Sequence, residues 1–126
     1  MRLSTSRANA VMDDCVFCRR AAGDLQYEVT EVVFEDANVK AFRDLHPKAP
    51  VHIVCIPKVH IASIAELQEE HAGLLAELVF VAKRLAASQN LQGYKLVFNV
   101  GREGGQVIDH LHLHLLGGWD QKERNL

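Results

Sequence analysis

The hydrophobic pattern of this chain changes period several times, and each change marks an element. Val29 to Glu35 and Val39 to Asp44 are rich in Val and Phe and predict two strands. Glu35-Asp36-Ala37-Asn38 supplies the turn between them. His52 to Ile56 predicts a third strand that stops at Pro57, after a loop bracketed by Pro47 and Pro50. Leu67, His71, Leu74, Leu75, Leu78, Val81, Ala82 and Leu85 then recur at helical spacing, with Glu69, Glu70, Lys83 and Arg84 between them. This predicts a long helix over Glu66 to Gln89, with Ser63 and Glu66 as a capping box and Asn90 to Gly93 as its end. Leu96 to Val100 predicts a strand, Gly101 to Gly105 a glycine-rich loop, and His110 to Leu116 a last strand ended by Gly117-Gly118. Near the start, Phe17 to Ala22 predicts a short helical turn halted by Gly23. Strands, one long helix, then strands again predict an α+β domain on an antiparallel sheet.

Composition narrows the class. A chain of 126 residues with 48% hydrophobic and 24% charged content suits one domain with a core that needs no disulfide staples. The first ten residues are polar and hold no apolar run of the secretory kind, so residues 1–13 read as a disordered extension and 14–126 as the domain. A net charge of −2 gives no basic footprint for nucleic acid. No apolar stretch approaches bilayer length, so no membrane partner is expected and the location reads as cytoplasmic. Three cysteines do not make a disulfide framework. The pair in Cys15-Val16-Phe17-Cys18 points instead to metal or redox chemistry, and the lack of a βαβ context weakens the redox alternative. Cys55 reads as a small buried hydrophobe. His46 and His71 have no motif around them and read as surface or packing residues.

The most informative segment is His110-Leu111-His112-Leu113-His114-Leu115-Leu116. Period two puts the three histidines on one strand face and the leucines on the other. The leucine face belongs on the core. Three aligned imidazoles are poor packing material, because each needs hydrogen-bond partners when neutral and repels its neighbours when charged. Two functional readings remain, a metal site and nucleophilic or acid–base chemistry on an anion. The loop just upstream favours the second. Gly101, Gly104 and Gly105 allow backbone N–H groups to approach a phosphate closely, and Asn99 and Gln106 add neutral donors.

The pattern His-φ-His-φ-His-φ-φ at 110–116 resembles the signature of the histidine-triad (HIT) family. Phe34-Glu35-Asp36, Ala41-Phe42-Arg43-Asp44, Pro50-Val51-His52, Ile56-Pro57-Lys58-Val59-His60 and Gly104-Gly105-Gln106 also look like family segments in family order. Gly117-Gly118 after the triad resembles the Hint branch, which hydrolyses purine nucleoside phosphoramidates and related compounds. The resemblance implies a five-stranded antiparallel sheet with one long and one short helix, and a homodimer. It implies that His112 attacks the α-phosphorus to form a nucleotidyl-histidine, that His114 contacts the phosphate and leaving group, and that His52 supports them. It implies that Asp44 binds ribose and that Phe17, Phe42 and Leu45 line the base pocket, with plain core as the alternative for those three. Asn99 and the backbone of Gly105, Gln106 and Val107 would hold phosphoryl oxygens of an AMP-like product. Cys15, Cys18, His60 and His110 carry the ligand types of a Cys₂His₂ zinc site, and relatives with this motif hold a closed structural zinc.

The chain departs from the branch at three places. Val107 stands where Ser is usual, and its side chain has no proton for a leaving group. Asp109 replaces a usual aromatic beside His110, and the tail from Trp119 lacks the usual proline. The alternatives are therefore a dinucleoside-polyphosphate hydrolase and a nucleotide-binding protein with weak catalysis.

Overall fold

The computed structural model describes residues 14–120. The expected disordered extension, residues 1–13, lies outside the described residues. Helix α1 spans Val16–Ala21, and Cys15 at its N-cap accepts the Cys18 N–H through sulfur at 3.2 Å. The strands are β1 (Val32–Glu35), β2 (Val39–Arg43), β3 (Val51–Pro57), β4 (Tyr94–Val97) and β5 (Leu113–Gly117); helix α2 spans Ala72–Ser88. They form one five-stranded antiparallel sheet in the order β1-β2-β3-β5-β4. This is the α+β architecture the pattern predicts.

Strand alternation assigns the two faces. Val39, Ala41, Ile53, Cys55, Leu113 and Leu115 pack with Leu78, Val81, Ala82 and Leu85 of α2 into the main core. Leu111 joins them. On the opposite face Phe42, Val54 and Ile56 pack with Cys15, Phe17 and Cys18 of the α1 region. Both faces of β3 are therefore covered, which is why Ile53 through Pro57 is buried at every position. Burial pushes the Cys55 thiol up to about 12, so it is an inert core residue.

Several boundaries differ from the pattern, each for a local reason. The long helix starts at Ala72, not Glu66. Leu67 is extended (ψ 142°), and two 3₁₀ turns, Ile64–Glu66 and Glu69–His71, precede the helix. Ser63 caps the first turn by accepting the Ala65 N–H at 3.1 Å, while the ring of His71 accepts the Gln68 N–H at 3.0 Å. Asn90, with φ +60°, ends the helix as expected. β1 starts at Val32 because the carbonyl of Thr30 is taken by the Arg20 guanidinium at 2.6 Å. β4 stops at Val97, which pairs with His114, because the partner strand begins only at Leu113. His110 and His112 therefore lie just before β5, where Leu111 donates its N–H to the Ile61 carbonyl at 2.6 Å. Alternation continues through this segment even though the sheet ladder does not.

Candidate active site and metal centre

The face of the sheet opposite α2 carries a cavity of about 750 Å³. Phe17 from α1, Phe42 from β2, His52 from β3 and His114 from β5 line it, together with Asp44, Leu45, Asn99, Gly105, Val107 and His112. The structure thus brings together all but one of the residues that sequence reasoning assigned to a nucleotide. The exception is Gln106. It is buried, and both amide hydrogens are spent on carbonyls, Ala62 at 2.7 Å and Ile108 at 2.9 Å, while its oxygen accepts the Gly101 N–H at 2.9 Å. Its own N–H, like that of Gly105, closes the loop turn. Gln106 shapes the loop and has no donor left for a ligand. The Val107 N–H, by contrast, makes no hydrogen bond among the described residues. Gly105 adopts φ +89°, which only glycine takes without strain, and this turn presents that N–H. Asp109 points away from the histidines and grips Arg102 through both carboxylate oxygens, at 2.9 and 3.0 Å.

The second nitrogen of each imidazole sets its role. His112 Nδ1 lies 2.6 Å from the His110 carbonyl, which can only accept, so the neutral ring carries its proton on Nδ1 and its lone pair on Nε2. His52 Nδ1 accepts the Lys48 N–H at 3.0 Å. Its proton therefore sits on Nε2 and is donated to His114 Nδ1 at 2.9 Å. That leaves His114 with its proton on Nε2. The rings of His112 and His114 are 4.9 Å apart. One offers a lone pair and the other an N–H donor. Burial lowers the pKa of His112, opposed by the His110 carbonyl and by Asp44. Burial, followed by the charges of His112 and His52, brings His114 down to about 4. His52 is also lowered, chiefly by burial. Asp44 lies 3.8 Å from His52 and accepts the His46 N–H at 2.9 Å. Two partners escaped the sequence reading. The Lys48 N–H is a backbone group with no sequence signal, and Arg20, which also lines the cavity, reads in the sequence as an ordinary surface cation.

The metal centre lies at the other end of the histidine segment. Cys15, Cys18, His60 and His110 place their ligand atoms within 4.8 Å of one another. Cys18 Sγ is 3.1 Å from His60 Nδ1, and Cys15 Sγ is 3.4 Å from His110 Nδ1. Tetrahedral zinc with roughly 2.3 Å sulfur and 2.1 Å nitrogen bonds puts its ligands about 3.5 Å apart, so the spacing fits. The tautomer fits too. His110 donates its Nε2 proton to the Pro57 carbonyl at 2.8 Å, which aims the Nδ1 lone pair at the two sulfurs. Three of the four residues are buried, as a closed structural site requires. No helix of the described residues is long and apolar enough to cross a membrane.

A five-stranded antiparallel sheet with three alternating imidazoles at and just before its β5 strand, beside a glycine-rich loop, defines a histidine-triad protein, and similar proteins agree. The family model described as "Scavenger mRNA decapping enzyme C-term binding" matches residues 14–124. A purine nucleoside phosphoramidase of Escherichia coli is 40% identical over 91 residues, covering 71% of this chain and 76% of its own. A HIT family hydrolase from Legionella pneumophila superposes with a TM-score of 0.80 at 48% identity, covering 85% of this chain and 95% of that one. A zinc-bound histidine triad protein from Mycobacterium smegmatis gives a TM-score of 0.74 at 25% identity, over 88% of this chain and 79% of that one. The chain belongs to the histidine-triad family and resembles its hydrolases.

Proposed function

We propose that the protein hydrolyses a phosphoramidate or related bond at the α-phosphorus of a purine nucleotide and releases the nucleoside monophosphate. The observation that carries this reading is the pairing of opposite tautomers in one cavity, the Nε2 lone pair of His112 beside the Nε2–H of His114. His112 Nε2 forms a bond to phosphorus while the bond to the leaving nitrogen or oxygen breaks. The His110 carbonyl holds the Nδ1 proton and so steadies the imidazolium that results. Water then attacks phosphorus, the P–N bond to His112 breaks, and the water proton leaves to solvent. His114, the Val107 N–H and Asn99 are the donors for phosphoryl oxygens, preorganised where charge develops. Asp44 is the ribose partner, and Phe17, Phe42 and Leu45 are the wall for the base.

The side chain of Val107 is exposed and holds no proton, so a basic leaving group takes its proton from solvent. That favours less basic leaving groups, and it is the feature that supports the binding-protein and dinucleoside-polyphosphate readings. Zinc in the Cys15–Cys18–His60–His110 cluster would supply a structural tie between α1 and the histidine segment, outside the reaction. None of the three cysteines is in a disulfide, which suits a reducing compartment, so action in the cytoplasm belongs to the same proposal. So does a homodimer, for which the edge strand β4 offers Tyr94 and Leu96, each more than a third exposed.

The test is hydrolysis of an adenosine phosphoramidate by the wild type, His112→Ala and Val107→Ser, with trapping of adenylylated protein. Turnover and labelling in the wild type, both lost in His112→Ala, are expected. Val107→Ser should gain up to the 10²–10⁴-fold typical of general acid assistance, by roughly that order. A wild type that binds AMP without turnover or labelling refutes the hydrolase reading.

A further inference from the structure

Arg20 is a buried cation that the catalytic scheme does not use. It sits on α1 at 3% exposure, with its guanidinium carbon 3.9 Å from the centre of the Phe42 ring. Its Nε donates to Glu28 Oε1 at 2.7 Å and its Nη2 to the Thr30 carbonyl at 2.6 Å. The other oxygen of Glu28 accepts from Lys40 Nζ at 2.9 Å, and Lys40 also caps the Arg20 carbonyl at 2.7 Å. Nε is thus committed, and Nη2 has given one of its two hydrogens. Nη1 has no partner among the described residues, yet no buried side-chain nitrogen is left unpaired. Nη1 therefore reaches accessible space, and the accessible space that Arg20 lines is the cavity.

The wall beside it is mainly apolar, with Val16, Val29 and the rings of Phe17 and Phe42, though Gln26 and Tyr27 also reach the cavity. Phe17 and Phe42 meet edge to face, 5.5 Å between ring centres, and Leu45 extends the surface. An apolar wall takes a base of any kind. A fixed guanidinium N–H beside it does not, because arginine is always charged and only donates. It rewards a carbonyl oxygen at the edge of the base and penalises an amino group there. Guanine and hypoxanthine present two adjacent acceptors, O6 and N7, to such a donor, whereas adenine presents N7 beside an amino group at position 6.

We propose that Arg20, clamped by Glu28, Thr30 and Phe42, is a specificity-determining residue that makes the cavity prefer a 6-oxopurine nucleotide over a 6-aminopurine one. This rests on the reading that the cavity takes a purine nucleotide. Lys40 stays paired to Glu28 at 2.9 Å and lies 4.0 Å from Glu35 whatever stands at position 20, which makes the choice of variant clear. Arg20→Met keeps the side-chain length, and leaves Lys40 and Glu28 as a neutral pair with no orphaned charge.

The experiment is calorimetric titration of wild type and Arg20→Met with inosine monophosphate and with AMP, which differ only at the edge that the donor reads. The wild type should bind inosine monophosphate about tenfold more tightly, the scale of one hydrogen bond to a charged group. Arg20→Met should bring the ratio to about one while AMP binding is retained. Equal wild-type affinities, or a preference that survives in Arg20→Met, overturn the assignment and leave the nucleotide reading intact. No binding of either nucleotide overturns that reading and this one with it. If Arg20→Met does not fold, Arg20→Gln takes its place with the same expected loss of preference, and equal wild-type affinities overturn the assignment in any case.

Discussion

Consider the removal of His52. Its ring bridges two groups, accepting the Lys48 N–H at 3.0 Å and donating to His114 Nδ1 at 2.9 Å. His52→Leu keeps the bulk and strips both bonds from a residue that is 5% exposed. The Lys48 N–H, on an exposed loop, then turns to water, and the lost bond costs about 0.5–1.5 kcal/mol of stability. The effect on chemistry is separate. Without a donor at its Nδ1, His114 is no longer held in the Nε2–H tautomer and loses its fixed donor toward the substrate. Losing one preorganised donor of this kind costs about 10²–10³-fold in kcat. His52→Gln tells the two effects apart, since its amide oxygen can take the Lys48 N–H and its NH₂ can serve His114. The assay is kcat on an adenosine phosphoramidate for wild type, His52→Leu and His52→Gln, with urea unfolding of each. The expected order is wild type, then Gln within about tenfold, then Leu lower by the full two to three decades. Equal activity in Gln and Leu would refute the tautomer argument, and a fully active Leu variant would remove His52 from the mechanism.

Two further predictions use the same geometry. The purified protein should carry about one zinc ion per chain by elemental analysis, and Cys18→Ser should lose both the metal and several degrees of melting temperature; a metal-free protein whose melting point ignores added zinc contradicts the site. The second concerns pH. Folding lowers His114 from its ordinary 6.5 to about 4, so the unfolded chain binds the proton more tightly between those values. Its contribution is complete above pH 6.5 and is lost as pH falls toward 4, about 1–2 kcal/mol in all once solvent screening of this half-buried ring is counted. Urea midpoints from pH 7 to 4.5 should fall more steeply for wild type than for His114→Asn, and parallel slopes would mean that His114 is not the group responsible.

How much of this was legible in the sequence depends on what each feature rests on. The strand-and-helix order was readable because burial of one face imposes periodicity, and Leu111, Leu113 and Leu115 face α2 as the alternation requires. The helix start was not. Ser63 and Glu66 have the spacing of a capping box, but Leu67 is extended, so the local signal belongs to a short turn five residues upstream of the helix it was read as opening. The cavity-lining set was named mostly through the resemblance of the segments that carry it, and Phe17, Phe42 and Leu45 have no signal of their own that separates a cavity wall from plain core. Gln106 was misjudged for a related reason. An amide beside a glycine loop has the right donors for phosphate, and nothing in the sequence reveals that carbonyls at Ala62 and Ile108 have already taken them. Arg20 and Lys40 look like solvated cations in one dimension and are buried in three. Their partner Glu28 lies 8 and 12 residues away, outside any helical or strand register that sequence reading uses.

The three histidines of the triad have the same side chain, the same spacing and neighbouring positions, yet the structure gives them three different chemistries. The difference lies in the partner of the inner ring nitrogen. For His110 it is the Pro57 carbonyl and for His112 the His110 carbonyl, both backbone groups that no side-chain substitution can delete. These two rings are therefore fixed, one as a lone pair aimed at two sulfurs and the other as a lone pair available to the cavity. For His114 the partner is another side chain, His52. Only this third role can be reprogrammed by changing a residue elsewhere, and in the proposed reaction it is a donor to the phosphoryl oxygens. Donation to the phosphoryl group is thus the property of the site most open to change while the backbone-held tautomers of His110 and His112 persist.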